Sequence, residues 1–350
     1  MMNGMERVRS CLRFEPVDRA PLEYHPCLRG LYEHGDALRS MIKALPGDFE
    51  DFSDVEVPPP RPQDLTPGGG YHSLEVDEWG VEWERCIYLM AGHPKTYPLE
   101  DLSRLGGYRF PANTCDDPSR VAALAKRVEE TKRKGGYVKL GWINLLEKLH
   151  ALCPFETVLM ELYDDSGEIN DLADKLVEYQ AREIQTLLDA GANGIQLADD
   201  FGTNSAMLIS PECWRQFFKP RYQKLIKPIR DAGADVFFHC CGYAPDILPD
   251  LREIGVDAVW PQLSVYDIDW LAGALRDIGL ACAIHIDRAG VMTRGTQDDV
   301  SRAVDAAVRA FNPMEGGSWF YVETDNDFPL ENIRRLLSEI EKYRIRRDVP

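Results

Sequence analysis

From about Val121 onward the chain alternates short apolar runs with helical patterns, and this alternation constrains the fold more tightly than any other feature. The helical pattern RVAALAKRVEETKRK leads through Gly135 and Gly136 to the run YVKLGWI. A long helical stretch from about Leu145 to Ala190, broken near Cys153-Pro154 and Ser166-Gly167, precedes GIQLADD. The runs ADVFFHCCG, VDAVWPQ, LACAIHID and GGSWFYVE follow, each behind its own helical segment, and a last helix is expected from Leu330 to about Tyr343. Strands separated in this way by helices build βαβ units and a parallel sheet. A short helix near Met5 to Leu12 and a strand near Leu22 to His25 open the chain, which makes seven evident strands and leaves the eighth unseen. No GxGxxG follows the first strand, as a dinucleotide-binding open sheet would carry. The expected fold class is therefore α/β, a (β/α)8 TIM barrel, with residues 1–350 forming a single domain.

Residues 46–112 break the rhythm. They are rich in Pro and Gly (VPPPRPQ, LTPGGG), and SLEVDEWGVEWERCIYLM alternates apolar and polar residues. Period-two alternation predicts a β-rich, hairpin-like insertion covering part of one end of the barrel. A length of 350 residues accommodates a barrel with such an insertion. The net charge of −18 disfavours nucleic acid, which is bound by displacing counterions with Lys and Arg, and disfavours anionic membranes. No run reaches the ~20 apolar residues of a membrane span. The opening MMNGMERVRSCLRFEP lacks the apolar core of a signal peptide, so the expected location is the cytoplasm. Nine scattered cysteines fit reduced thiols better than a disulfide framework.

The active site of a barrel lies at the C-terminal ends of its strands. Those ends hold Tyr24 and His25; Trp142 and Asn144; Asp199 and Asp200; His239, Cys240, Cys241 and Gly242; Trp260 and Gln262; His285 and Asp287; and Glu323, Thr324 and Asp325. His239 and Cys241 are two residues apart, so a strand points both the same way. They are either two ligands of a zinc site, which typically keeps three protein ligands and one open position, or a core histidine with an inert thiol. Cys240 should point away and pack. Asp199 and Asp200 end a buried strand, where an unpaired carboxylate is costly. The choice for them lies between contact with ligand, metal or a basic partner and a helix cap or salt bridge beneath the site. Asp287 either orients substrate or caps the next turn. Trp79, Trp83 and Trp142 are either core or the wall of an aromatic pocket.

These residues resemble a known family. DDFGTNSAMLISPECWRQFFKPRYQKLIKPIRDAGADVFFHCCG (199–242) is similar to the central signature of the uroporphyrinogen-decarboxylase superfamily. EIGVDAVWPQ (253–262), the segment from His285 to Thr296 and FPLENI (328–333) resemble its later blocks in order, and PVDRAP and DEWGVEWER its N-terminal blocks. Decarboxylases of this superfamily carry an Arg-rich segment after the first strand. Here that place reads EYHPCLRGLYEHG, with Arg29 nearby, which disfavours a polycarboxylate substrate.

The resemblance is closer to the zinc- and corrinoid-dependent methyltransferases, which hold zinc with a His and a Cys of an H-x-C-G motif and a second Cys after the last strand. That implies His239 and Cys241 as ligands. The segment YVETDND has no cysteine, and alignment to the family puts Glu323 in the third place. A carboxylate makes zinc harder than a second thiolate does and suits an oxygen substrate. The implied function is an O-demethylase-type methyltransferase, moving a methyl group from a small methoxylated aromatic to the Co(I) corrinoid of a partner protein. Asp199 and Asp287 would be catalytic. Tyr24, His25, Trp142, Asp200, Trp260 and His285 would bind substrate. The alternatives are a coenzyme M-type thiol methyltransferase, a decarboxylase, and a non-catalytic member that only docks the corrinoid protein.

Overall fold

The structure, a computed structural model, describes residues 2–25, 28–325 and 327–344. Ten strands occur among them: β1 (Leu22–Tyr24), β2 (Ser73–Val76), β3 (Glu82–Arg85), β4 (His93–Thr96), β5 (Lys139–Ile143), β6 (Gly194–Ala198), β7 (Asp235–Cys240), β8 (Ala258–Pro261), β9 (Ala281–His285) and β10 (Ser318–Val322). Seven form one parallel sheet in the order β1-β10-β9-β8-β7-β6-β5, with helices between them. The expected helix breaks are present, giving Leu146–Leu152, Phe155–Asp164 and Gly167–Asp189. No helix among the described residues is long and apolar enough to cross a membrane.

The pleat sorts side chains into two separate apolar clusters. Val236, Phe238, Val259, Cys282, Ile284, Phe320 and Val322 join the cluster that contains the helices. Their neighbours Phe237, Ala258, Trp260, Ala281, Ala283, Trp319 and Tyr321 join a second cluster inside the barrel. The helix Gly4–Leu12 adds Val8, Cys11 and Leu12 to this inner cluster and closes the end where the strands begin. Backbone bonds also fasten it there, from Gly317 N–H to the Cys11 carbonyl at 2.7 Å and from Met5 N–H to the Gly135 carbonyl at 3.0 Å.

The eighth position of the wall lies inside the segment that the sequence assigns to the insertion. Residues 47–50 form no regular strand. Asp48 nevertheless donates its N–H to the Leu22 carbonyl at 2.7 Å, and its carbonyl accepts from Tyr137 N–H, just before β5, at 2.8 Å. One backbone bond on each side bridges β1 to the start of β5. Phe49 turns inward against Tyr137 and Trp319. The rest of the insertion carries a three-stranded antiparallel sheet, β2-β3-β4, among short 3-10 turns and irregular segments. Its first turn is held by Asp77, whose Oδ1 accepts from the N–H groups of Trp79 and Val81, both at 2.9 Å. Trp79 is buried against Phe110 and Tyr179, and Trp83 donates its indole N–H to Asp77, so these two tryptophans belong to the packing of the insertion.

The seam depends on one buried carboxylate. Asp48 accepts from Arg7, from Arg19 at 3.0 Å, from Arg344 at 2.7 Å and from Leu22 N–H at 3.0 Å. It therefore ties the first helix, the first strand and the turn at Arg344 to the wall. Removing one member of a buried charge cluster leaves the others uncompensated, at about 3–5 kcal/mol. Asp48→Asn, nearly isosteric, should lower the unfolding free energy by about that amount. Denaturant unfolding measures it, and a loss below about 1 kcal/mol would show that this carboxylate does not hold the seam.

Candidate active site

The site begins with β7. Phe237 and His239 face inward, and Cys241, the next residue of that parity, leaves the strand end toward the mouth. Cys240 has the opposite parity and packs on the helix side, where its Sγ accepts from Phe201 N–H at 3.5 Å. His239 donates Nδ1–H to the Trp260 carbonyl at 2.8 Å, so in the neutral ring Nε2 carries the free lone pair. Nε2 lies 3.3 Å from Cys241 Sγ and 3.5 Å from Asp200 Oδ1. The ligand atoms of Asp200, His239 and Cys241 all lie within 4.8 Å of one another. Asp200 Oδ1 is fixed in turn by Cys241 N–H at 2.8 Å.

Backbone packing explains a glycine in each of the loops that follow β6 and β7. Gly242 has φ of +80°, and a Cβ there would lie 2.1 Å from the backbone of Gly202. A Cβ on Gly202 would lie 2.4 Å from Tyr243 N. The loops after β6 and β7 touch backbone to backbone, and that contact brings Asp200 beside Cys241.

Asp199 lies on the other face of β6. It is fully buried and accepts from the N–H groups of Leu145 and Leu146, both at 2.8 Å, and Glu147 at 2.7 Å, and from the Tyr222 hydroxyl. It caps the helix Leu146–Leu152 from beneath, and its expected catalytic role is corrected to a structural one. Tyr24 is corrected likewise: it faces the helix layer and donates its hydroxyl to the Leu45 carbonyl at 2.7 Å. Its neighbour His25 faces inward, with its ring centroid 6.1 Å from that of Trp260 and 5.8 Å from that of Tyr321.

A cavity of about 680 Å³ opens over these groups, lined by His25, Trp142, Asp200, His239, Cys241, Trp260, His285, Asp287 and Glu323, with Ala91 from the insertion at its edge. Trp142 and Trp260 form an aromatic wall, with centroids 5.6 Å and 3.9 Å from that of His239 and 6.0 Å from each other. Trp260 also donates its indole N–H to His285 Nδ1 at 3.0 Å, which leaves the Nε2–H of neutral His285 facing outward from that bond. Asp287 lines the cavity and accepts from Gly290 N–H at 2.9 Å, starting the next turn. Deeper in the barrel, Lys139 pairs with Glu23 at 2.5 Å, and Trp319 donates to the same carboxylate at 2.9 Å.

Glu323, aligned to the family's third ligand, stands outside the Asp200–His239–Cys241 group. Its Oε2 is 3.6 Å from His285 Nε2 and 3.8 Å from Arg288 Nε, and it is buried without a hydrogen bond among the described residues. The third member of the cluster is Asp200, expected instead to touch substrate. The charged lining residues Arg288 and Glu147 are not among the candidates the sequence singles out. Arg288, ion-paired to Asp325, follows the end of β9 by three positions. Glu147 lies in the first turn of the helix that Asp199 caps and accepts from Asn144 Nδ2 at 2.7 Å. Both lie within a few residues of a strand end, and that proximity is the signal that could have found them.

Burial sets the protonation of these groups. It pushes the Cys241 thiol up to about 12, with Asp200 adding to the effect, and lowers His239 to about 4 against the pull of Asp200. An imidazole nitrogen, a sulfur and a carboxylate oxygen, with room for one more group, form a donor set that fits zinc. Two further histidines are held neutral. Burial, with Lys139 adding, lowers His25 to about 4, and burial, with Arg288 adding, lowers His285 to about 3.

The comparisons with known proteins agree with this architecture. The family described as uroporphyrinogen decarboxylase (URO-D) matches residues 151–343. Uroporphyrinogen decarboxylases of two Thermus thermophilus strains are 29% and 28% identical over 98 residues. That stretch is 28% of this chain, and it spans 27% of the length of each relative. The structure of a methyltransferase from Methanosarcina mazei matches with a TM-score of 0.70 at 16% identity, over 98% of this chain and 99% of that one, and shares the fold.

The buried histidines generate a pH dependence. Each takes its proton in the unfolded chain near 6.5 but only well below that in the folded one. The unfolded state therefore binds more protons between those values. Their stabilising contribution is complete above pH ~6.5 and is lost as the pH falls toward ~4, at up to about 2–3 kcal/mol per pH unit for the pair. Urea unfolding of the metal-free protein between pH ~7.5 and ~5 should show the midpoint dropping in that window. The double variant His25→Gln, His285→Gln should show a shallower drop, and an unchanged slope would contradict neutral burial.

Proposed function

The chain belongs to the uroporphyrinogen decarboxylase family, and from that premise we propose that it is a zinc-dependent methyltransferase. It would move a methyl group from a small methoxylated aromatic to the Co(I) corrinoid of a partner protein. The observation that carries this reading is the Asp200–His239–Cys241 cluster at the open end of the barrel, beside a cavity with tryptophan walls. The fold shared with a protein named as a methyltransferase supports it.

Asp200, His239 and Cys241 would hold the metal, and zinc bound there would supply Lewis acidity to the ether oxygen of the substrate. The chain's own residues orient the reaction. The Trp260 carbonyl keeps His239 in the tautomer that offers Nε2, and Cys241 N–H fixes Asp200 Oδ1. Trp142 and Trp260, edge to face with each other, would pack against an aromatic ring and turn its methoxy group toward the cluster. The corrinoid of the partner would supply the nucleophile that takes the methyl group, while the electron pair of the broken carbon–oxygen bond would stay on the leaving oxygen and be protonated from solvent. Transfer from a substrate held at the cluster would require the partner to reach the open mouth of the barrel.

A second reading, decarboxylation, is favoured by the names of the Thermus relatives. Against it stands the lining itself, where Glu147, Asp200, Asp287, Glu323, Asp325 and Asp327 face the cavity and Arg288 is already paired to Asp325. A polycarboxylate would meet like charge. A thiol substrate is disfavoured because the cluster offers one sulfur and a carboxylate where thiol-activating zinc favours a second sulfur.

Metal analysis of the purified protein should give about one zinc per chain, as the ligand set demands. His239→Ala and Cys241→Ala should remove it, Asp200→Asn should weaken it by about tenfold or more, and Cys240→Ala and Glu323→Gln should retain it. Incubation of the loaded enzyme with a methoxyarene and cob(I)alamin should convert the cobalt spectrum to that of the methyl form. Zinc lost from Cys240→Ala but kept in Cys241→Ala, or decarboxylation by metal-free enzyme with no methyl transfer, would overturn the proposal.

A further inference from the structure

The cavity has a second polar pole. Along the wall the inward residues run His239 on β7, Trp260 on β8, His285 on β9 and Glu323 just beyond β10. Trp260 separates the two poles, bonded through its carbonyl to His239 and through its indole N–H to His285. On the far side, Glu323 Oε2 is buried and accepts no hydrogen bond among the described residues, although a buried carboxylate oxygen ordinarily has a partner. His285 Nε2 at 3.6 Å and Arg288 Nε at 3.8 Å both stop short of it. The guanidinium of Arg288 is taken up by Asp325.

A planar ligand lying along Trp260, with one end at Asp200, His239 and Cys241, would extend its other end toward the Glu323 carboxylate, which lines the same cavity. The unmet demand there is for a donor. A hydroxyl or an ammonium supplies one. A carboxylate supplies none and adds a negative charge to a lining that already holds Asp287 and Glu323.

Resting on the methyltransferase reading, we propose that Glu323 is the specificity-determining residue of this site. It accepts a hydrogen bond from a hydroxyl or amine on the ring end away from the cluster, so that the preferred substrates are methoxylated phenols or arylamines and not methoxylated benzoates. The carboxylate is not needed to hold the metal. It selects the substrate by leaving a buried acceptor empty whenever the donor is missing, the arrangement by which a site rejects an analogue most strongly.

The test is direct binding to the zinc-loaded protein, read by quenching of tryptophan fluorescence and by calorimetry. The probes are 4-methoxyphenol, 4-methoxyaniline, anisole and 4-methoxybenzoate. The phenol should bind about tenfold or more tightly than anisole, and the benzoate more weakly than either. In Glu323→Ala the preference for phenol over anisole should fall to within about threefold. In Glu323→Gln, which keeps an acceptor and loses the charge, part of that preference should remain and the benzoate should gain. Equal affinities across the panel for the native protein, or a phenol preference unchanged in Glu323→Ala, would overturn the proposal. So would loss of zinc from Glu323→Gln, which would make the carboxylate a ligand. The native panel decides the matter even where a variant folds poorly. Methyl transfer to cob(I)alamin is scored separately on the same probes. Binding preference without transfer refutes the methyltransferase reading alone, and transfer without preference refutes the role of Glu323 alone.

Discussion

A strand can send its side chains in only two directions, and in this barrel the outer direction is already claimed. Val236, Phe238, Val259, Ile284, Phe320 and Val322 are buried against helices, and a slip of one residue in β7 or β9 would drive His239 or His285 into the helix layer. That requirement fixes the parity of these two strands, and the hydrogen-bonded register carries it to their neighbours. Parity then delivers His239, Trp260 and His285 to the interior, with Cys241, Asp200 and Glu323 beyond the strand ends at the same mouth. The chemistry at the mouth is thus positioned by packing on the opposite face of the same strands.

Within that frame Trp260 connects more of the site than any other residue. Its carbonyl fixes the proton of His239 on Nδ1, and its indole N–H fixes the lone pair of His285 on Nδ1. The two imidazoles consequently present opposite characters at Nε2, an acceptor on one side and a donor on the other. A single residue supplies the outer-shell bond that a metal-binding histidine needs and the bond that turns a second histidine toward Glu323. Replacing it with another large aromatic would keep the ring contact and the carbonyl, yet lose the indole donor unless the new ring carried one.

Sequence patterns reveal much of this and conceal the rest for identifiable reasons. The alternation from Val121 onward exposes the barrel, and the spacing of His239 and Cys241 puts both on one side while Cys240 turns away. The eighth position of the wall leaves no pattern because residues 47–50 close the seam with one backbone bond on each side and the side chain of Asp48, and none of these has a hydrophobic period. Tyr24 and His25, like Asp199 and Asp200, are adjacent pairs at strand ends where only one member can face inward. The parity of Gln196 and Gly194 on β6 points to Asp200, and that inference was available from GIQLADD. Alignment to a family motif placed a ligand at Glu323, whereas the contact between Gly202 and Gly242 brings Asp200 to the cluster, and a loop contact of that kind has no signature in either loop alone.

The two carboxylates therefore divide what one aligned position suggested. Asp200 is partly exposed and hydrogen-bonded by the backbone of its neighbour Cys241, which orients its carboxylate toward the cavity. Glu323 is largely buried, and desolvation raises its pKa above the ordinary carboxylate range while Arg288 opposes the shift without a hydrogen bond. A group in the first setting is available to a metal without reorganisation. In the second setting the oxygen gains most from a neutral or cationic donor that arrives with the ligand, because such a donor relieves the desolvation that the fold imposes. Under the proposed reading the same barrel mouth holds a hard, charged pole for the ether oxygen and a buried, hydrogen-bond-starved pole for the ring substituent. The aromatic wall between them makes the two ends of one substrate answer to different physics.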